Sequence, residues 1–264
     1  MSDESTTKNI EVEIEIDATP EAAWRAISQG EEVARWFPLN AEIEPGEGGK
    51  YYIDWGPGVA GQGTITVWEE GRRLTYKEEY PGTEVEIPVL VEWTVEVREG
   101  RTVVRMVNSG FSADDDWADY VDTLDSGWRY FMWNLKVYLE RHDGTPRRMI
   151  WDRRKIAVPK AEAWTRLFGP GGLVASESGP GEGVAVNLWS GDAAETTILS
   201  EPIHVAARVP DLNDAVLFIE LEPGGDEYSM GVWLSLYGVD AERGDAIGAQ
   251  LGETLDALFG EVVA

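Results

Sequence analysis

Ile10, Val12, Ile14 and Ile16 alternate without a fault with Glu11, Glu13 and Glu15, the period-two pattern of a strand with one face buried and the other in water. The run stops at Asp17-Ala18-Thr19-Pro20, where Thr19 can cap a helix, Pro20 suits its first position and Glu21 suits its positive end. A short helix carrying Ala23, Trp24 and Ile27 is predicted there. A second, Glu31 to Phe37, should end before Pro38, because the residue preceding a proline disfavours helical geometry. Period two then returns, predicting strands at Ala41 to Glu44, Lys50 to Trp55, Gly63 to Glu69, Arg73 to Glu79, Val89 to Arg98 and Thr102 to Val107. The clearest turns Val89, Val91, Trp93, Val95 and Val97 inward and Leu90, Glu92, Thr94 and Glu96 outward. Glu99-Gly100 reverses the chain after it. Beyond an acidic loop (Asp114, Asp115, Asp116, Asp119), Leu124, Trp128, Phe131, Leu135 and Tyr138 recur at helical spacing, predicting a substantially buried helix from Leu124 to Arg141.

The same succession occurs again about 140 residues later, which predicts two similarly built domains rather than one large fold. Asp143 to Arg148 reads as a linker, placing the domains at 1–144 and 145–264. The second copy has a strand Met149 to Val158, a helix Lys160 to Phe168 with Ala163-Trp164, and only Gly169-Pro170-Gly171-Gly172 where the second short helix stood. Strands follow at Gly183 to Trp189, Thr196 to Ser200, Ile203 to Val209, Val216 to Glu222 and Ser229 to Tyr237. A helix near Ala241 to Val262 closes the copy, with Ile247, Leu251, Leu255, Leu258 and Phe259 in one stripe. The basic group Arg147, Arg148, Arg153, Arg154 and Lys155 is expected to face the acidic first domain. The fold class is therefore α+β, with each antiparallel sheet wrapped around a long C-terminal helix.

Charge narrows the partners. The 264 residues carry 49 acidic and 22 basic side chains, a net charge of −27, divided as −17 through Gly144 and −10 after it. Such a surface repels phosphate backbones and anionic lipid, so no nucleic-acid partner is expected. Acid-rich, Lys-poor surfaces also suit a high-salt cytoplasm. There is no cysteine, hence no disulfide and no thiolate chemistry. Met1 to Asn9 lacks the order of a signal peptide, and no apolar run is long enough to cross a membrane. A soluble, cytoplasmic protein without membrane insertion is the expectation.

Catalytic material is scarce. His142 and His204 are the two histidines, too few for a zinc site or a serine-histidine triad. His142, at a helix end, reads as solvated. Gly56-Pro57-Gly58 and Gly169-Pro170-Gly171-Gly172 lack a Lys-Ser/Thr follower, so they read as turns. The Asp114 to Asp116 run lacks the ordered spacing of a calcium loop. Asp54, beside Trp55, is the candidate carboxylate for a position facing a cavity. No catalytic residue, metal ligand or cofactor is assigned. What stands out is aromatic surface: eight of the 12 tryptophans (Trp24, Trp36, Trp55, Trp68, Trp93, Trp117, Trp128, Trp133) fall in the first domain. A sheet wrapped on one helix leaves a tapered apolar space of the kind that binds small molecules, unless side chains fill it.

Several segments together carry a family resemblance. They are Ala18-Thr19-Pro20-Glu21-Ala22-Ala23-Trp24, Ala34-Arg35-Trp36-Phe37-Pro38, Gly49-Lys50-Tyr51, Gly61-Gln62-Gly63, Arg73-Leu74-Thr75-Tyr76, Asn108-Ser109-Gly110-Phe111, Gly127-Trp128 and Leu139-Glu140. In this order, over residues 10 to about 142, they resemble the SRPBCC (START-like) superfamily with its helix-grip fold, and within it the activators of heat-shock-protein-90 ATPase, homologue type. The second domain is similar only through its strand, Pro, Ala-Trp and terminal helix, and looks like a degenerate START-like copy. The resemblance implies an apolar small molecule held between sheet and C-terminal helix; some relatives are cyclases or hydrolases. Eukaryotic activators contact the chaperone with a separate N-terminal domain, for which the short polar segment Met1 to Asn9 has no room.

The expectation is a non-enzymatic protein binding an apolar small molecule in its first domain. Trp36 and Phe37 should lie near the mouth, Tyr51, Trp55, Trp68, Tyr76 and Trp93 on the sheet, and Trp128, Phe131, Met132 and Leu135 on the helix. The alternatives are a chaperone-associated protein and, further off, a cyclase or hydrolase using a pocket carboxylate such as Asp54.

Overall fold

The alternating run at the start of the chain is strand β1 (Thr7–Ile16), with Ile10, Val12 and Ile16 buried and its glutamates in water. The computed structural model describes residues 7–56, 59–79, 89–112, 118–175, 185–200, 204–224 and 227–260. The chain forms two units, Met1–Thr145 and Pro146–Ala264.

In the first unit β1 leads into α1 (Pro20–Ser28), where the Thr19 hydroxyl accepts the Ala22 amide at 3.2 Å, Pro20 begins the helix and Glu21 lies in the first turn. Helix α2 (Gly30–Val33) is shorter than the hydrophobic pattern suggests. Beyond Val33 the chain continues as a turn, with the amides of Trp36 and Phe37 both donating to the Val33 carbonyl, at 3.3 and 3.0 Å. Six strands follow: β2 (Asn40–Ile43), β3 (Lys50–Asp54), β4 (Ala60–Glu69), β5 (Arg73–Glu79), β6 (Leu90–Arg98) and β7 (Arg101–Ser112). With β1 they form a seven-stranded antiparallel sheet in the order β1-β7-β6-β5-β4-β3-β2. The β6–β7 hairpin turns on Glu99 and Gly100, with φ of 52° and 81°, the left-handed pair that a tight hairpin needs. Helix α3 (Ala118–Arg141) begins six residues before Leu124 and takes in Asp119, which reads as loop in the sequence. It packs on β1 and α1.

The second unit repeats the order. Strand β8 (Arg147–Ile156) and helix α4 (Lys160–Phe168) precede β9 (Val174–Ala175), β10 (Ala185–Leu188), β11 (Ala193–Ser200), β12 (His204–Val209), β13 (Ala215–Gly224) and β14 (Glu227–Tyr237), and α5 (Ala241–Phe259) closes it. Its sheet runs β8-β14-β13-β12-β11-β10-β9, the same arrangement of first, last and intervening strands as in the first unit. Ile247, Leu251 and Leu255 of α5 are fully buried against Leu217, Ile219, Val232 and Leu234, with Leu258 and Phe259 at the margin.

One reading of the sequence is corrected. His142 is buried, at 3% exposure, because the chain folds back over it: the Thr145 amide donates to the His142 carbonyl at 2.7 Å. In the basic group, Arg148, Arg153 and Arg154 pair with carboxylates of their own unit. Arg148 meets Asp245, Arg153 meets Glu222 at 2.7 Å, and Arg154 lies between Asp152 at 2.7 Å and Asp256 at 2.9 Å. Asp114, Asp115, Asp116 and Trp117 fall outside the described residues.

Candidate functional site

Trp36 and Phe37 reach the interior because the short α2 releases the chain early. The Trp36 indole donates to the Ala26 carbonyl at 2.8 Å, and the Asn134 side-chain amide of α3 donates to the Trp36 carbonyl, so the turn is tied to both α1 and the closing helix. Phe37 then lies among four rings. It stacks on Trp36 and on Trp128 with centroids 5.3 Å away in each case, and meets Phe131 at 4.6 Å and Trp55 at 5.0 Å edge to face. Trp93 of β6 closes the group edge-on, 6.0 Å from Trp36 and 5.7 Å from Trp128. Trp36, Phe37, Trp93 and Trp128 are buried. Trp55 and Phe131, 5.1 Å apart, are half-buried, so the open margin lies at these two rings rather than at Trp36 and Phe37.

The structure thus gathers six of the eleven expected residues into one aromatic group between turn, sheet and α3. Met132 and Leu135 are fully buried on the same helix. Tyr51 and Tyr76 form a separate stacked pair on the inner sheet face, with ring centroids 4.0 Å apart. Trp68 lies elsewhere. A bulge between Ile65 and Val67 resets the alternation of β4 and sets Trp68 opposite Leu74, where it packs edge-on against Trp24 of α1 at 5.3 Å. Both indoles of that pair donate to the Glu70 carboxylate, at 3.1 and 2.8 Å.

Inside the aromatic region, polar atoms are left over. The Trp93 and Trp128 indole nitrogens and the side-chain oxygens of Asn108 and Asn134 are buried without a hydrogen-bond partner. Asn108 continues the inward row Val104, Met106, Asn108 of β7, and Asn134 lies on the same helix as Phe131. A polar residue at an inward position of an otherwise apolar strand was the signal that could have singled out Asn108 from sequence; Asn134, between Trp133 and Leu135 in the apolar stretch of α3, offered the same signal.

Residues 17–140 match the family model described as Activator of Hsp90 ATPase homolog 1-like protein. The first unit is a domain of this family. Among solved structures, the chain is similar to the Aha1 dimer from Colwellia psychrerythraea at 21% identity, over 52% of this chain and 99% of that one, with a TM-score of 0.45. A protein of Mesorhizobium loti is similar at 25% identity over 52% and 99% of the two chains, with a TM-score of 0.45. DynU16, from the dynemicin biosynthetic locus, is similar at 18% identity over 95% and 96%, with a TM-score of 0.43. No curated protein matches the chain.

Charged groups of the activator-homologue domain do structural work around the rings. Glu32, 8% exposed, accepts from the Tyr138 hydroxyl and from Arg35 at 2.6 Å, with Arg25 at 3.7 Å. Arg25 also pairs with Asp143 at 2.6 Å, and the Tyr138 hydroxyl accepts the Gly144 amide at 3.1 Å. Burial, and then the Glu32 carboxylate, push the Tyr138 phenol up to about 12. These bonds join α1, α2 and α3 and hold the turn that carries Trp36. Asp54, the carboxylate named for the cyclase or hydrolase alternative, accepts the Gly56 amide at 2.8 Å within its own turn. Among the described residues no three His, Asp or Glu side chains converge as a metal site requires, and no helix is long and apolar enough to cross a membrane.

In the second unit, Glu220 on β13 is set opposite Gly231 on β14 and accepts from the Trp233 indole at 3.0 Å. A side chain at 231 would come within 2.4 Å of the Glu220 carboxylate. Burial, reinforced by Glu222, pushes the Glu220 carboxyl up to about 7.

Proposed function

We propose that the first unit is a non-enzymatic binding module that holds an apolar small molecule between its sheet and α3, against the Phe37 aromatic group. The observation that carries this reading is the arrangement of that group: four enclosed rings whose margin, Trp55 and Phe131, is half-open to solvent. Two large half-buried rings at the margin leave apolar surface in water, and an apolar guest inserted against them would recover that buried area. The family match over residues 17–140 supports the same reading. The second unit, a START-like copy with the shortened segment Gly169 to Gly172 and fewer aromatic residues, serves as a structural partner in this proposal. The protein acts in the cytoplasm.

The test is native mass spectrometry of the protein purified from its own cells, followed by extraction and chemical identification of whatever is bound. A stoichiometric apolar molecule is the expected result. A ligand-free mass, together with failure to take up apolar probes in solution, overturns the reading.

The family description favours a second reading, contact with a heat-shock-protein-90 homologue. Mixing the two proteins and measuring ATP turnover decides it: stimulation at micromolar concentration supports the chaperone role, and unchanged turnover rejects it.

A further inference from the structure

We infer that the molecule held by the Phe37 group is neutral and carries a carbonyl-type acceptor oxygen, read by the indole N–H groups of Trp93 and Trp128. The inference rests on the binding reading above. Trp93 is 1% exposed and Trp128 7% exposed, yet neither indole nitrogen has a hydrogen-bond partner. Buried tryptophan N–H groups ordinarily find an acceptor, because leaving a desolvated donor unpaired costs free energy. The contrast within the molecule is direct: Trp24, Trp36, Trp68, Trp189 and Trp233 each donate to a carboxylate or a carbonyl.

The rings that carry the two unpaired donors also come together. Trp93 projects from β6 and Trp128 from α3, and their rings meet edge to face at 5.7 Å within the aromatic group bordered by the half-buried Trp55 and Phe131. Sheet and helix thus each bring one unpaired indole to the same group. The six rings around it carry no charge, so a carboxylate or phosphate there would be an uncompensated buried ion, whereas a ketone or quinone oxygen satisfies the donors without one. On the sheet side, Asn108 lies one inward position along β7 from Met106, the residue opposite Trp93. Its free side-chain oxygen suits a hydroxyl on the same molecule.

A matched pair of probes tests this on the full-length chain: fluorene and 9-fluorenone, which share a ring skeleton and differ by one carbonyl. Desolvation of the carbonyl by itself favours fluorene, so a preference for fluorenone reports waiting donors. The expected result is binding of fluorenone about tenfold tighter than fluorene, with the infrared carbonyl band of the bound ketone moved to lower wavenumber. Trp93→Phe and Trp128→Phe each keep an aromatic ring and lose a donor, and should bring the affinity ratio back toward one. Equal affinities with an unshifted carbonyl band in the unsubstituted protein overturn the inference while leaving the binding reading intact, and need no variant to fold. Failure of both probes to bind overturns the binding reading and this inference together.

Discussion

Tyr51 and Tyr76 stack with ring centroids 4.0 Å apart and planes 8° from parallel, although β4 runs between the strands that carry them. Gly63 makes the contact possible. It is the β4 residue opposite Tyr51, and a Cβ there would sit 2.5 Å from the Lys77 carbonyl oxygen and 2.9 Å from the Tyr76 ring. The first of these is backbone and cannot swing aside. Gly63→Ala should therefore lower stability by about 2 kcal/mol in urea unfolding, the scale of an overpacked core site.

Phe131 tests where the guest sits. Its ring forms the half-open margin and touches Phe37 and Trp55. A carboxylate in its place would be drawn toward water and would place a charge against any apolar guest, so Phe131→Asp should weaken uptake of an apolar probe at least about tenfold. Far-ultraviolet circular dichroism should be unchanged, because α3 keeps its buried residues Met132 and Leu135. Unchanged probe affinity in the folded variant would remove Phe131 from the site.

Glu32 and Tyr138 form a coupled pair. Tyr138→Phe removes the donor to Glu32 and the acceptor for the Gly144 amide, a loss of about 1–2 kcal/mol. Glu32→Gln leaves Arg35 and Arg25 without their shared anion and should cost more, about 2–3 kcal/mol. The double variant should cost less than the sum, since Glu32→Gln weakens the same bond that Tyr138→Phe removes. Additive losses would show that the pair is not coupled.

Glu220 predicts a pH effect. Its carboxyl is raised from 4.5 to about 7, so between these values the folded chain holds a proton that the unfolded chain has released. Its contribution to stability is then fully present below about pH 4.5, falls as pH rises, and is gone above about pH 7, a span of up to about 3 kcal/mol. Glu220→Gln, which cannot ionise, should remove that decline. The difference in unfolding free energy between the two proteins, measured from pH 4 to 8, checks both sign and window.

Much of the fold was legible. Thr19 and Pro20 start α1 as capping chemistry requires, Glu99-Gly100 supplies the left-handed pair of its hairpin, and the stripe on α5 is buried where period 3.6 places it. Each of these depends on neighbours close in sequence. The candidate site was legible as a set of residue types but not as an arrangement. Trp68 and Trp93 both read as sheet tryptophans, yet one extra residue in β4 sends Trp68 to Trp24, and nothing in the local composition marks that bulge. The early end of α2 was equally hidden, because the bonds from Trp36 to Ala26 and Asn134 that draw the chain inward join residues distant along it.

By itself the sequence determined periodicity, caps, turns, the repeated plan and an acidic surface, since these follow from side chains a few positions apart or from counting charges. Only the tertiary structure decided that Phe37 would lie between Trp36 and Trp128, that Trp55 and Phe131 would form the open margin, and that two buried indoles would lack an acceptor. Those are properties of packing. Whether a ring is enclosed or a donor is satisfied depends on which distant segments close around it, and that is set once the sheet and α3 have met.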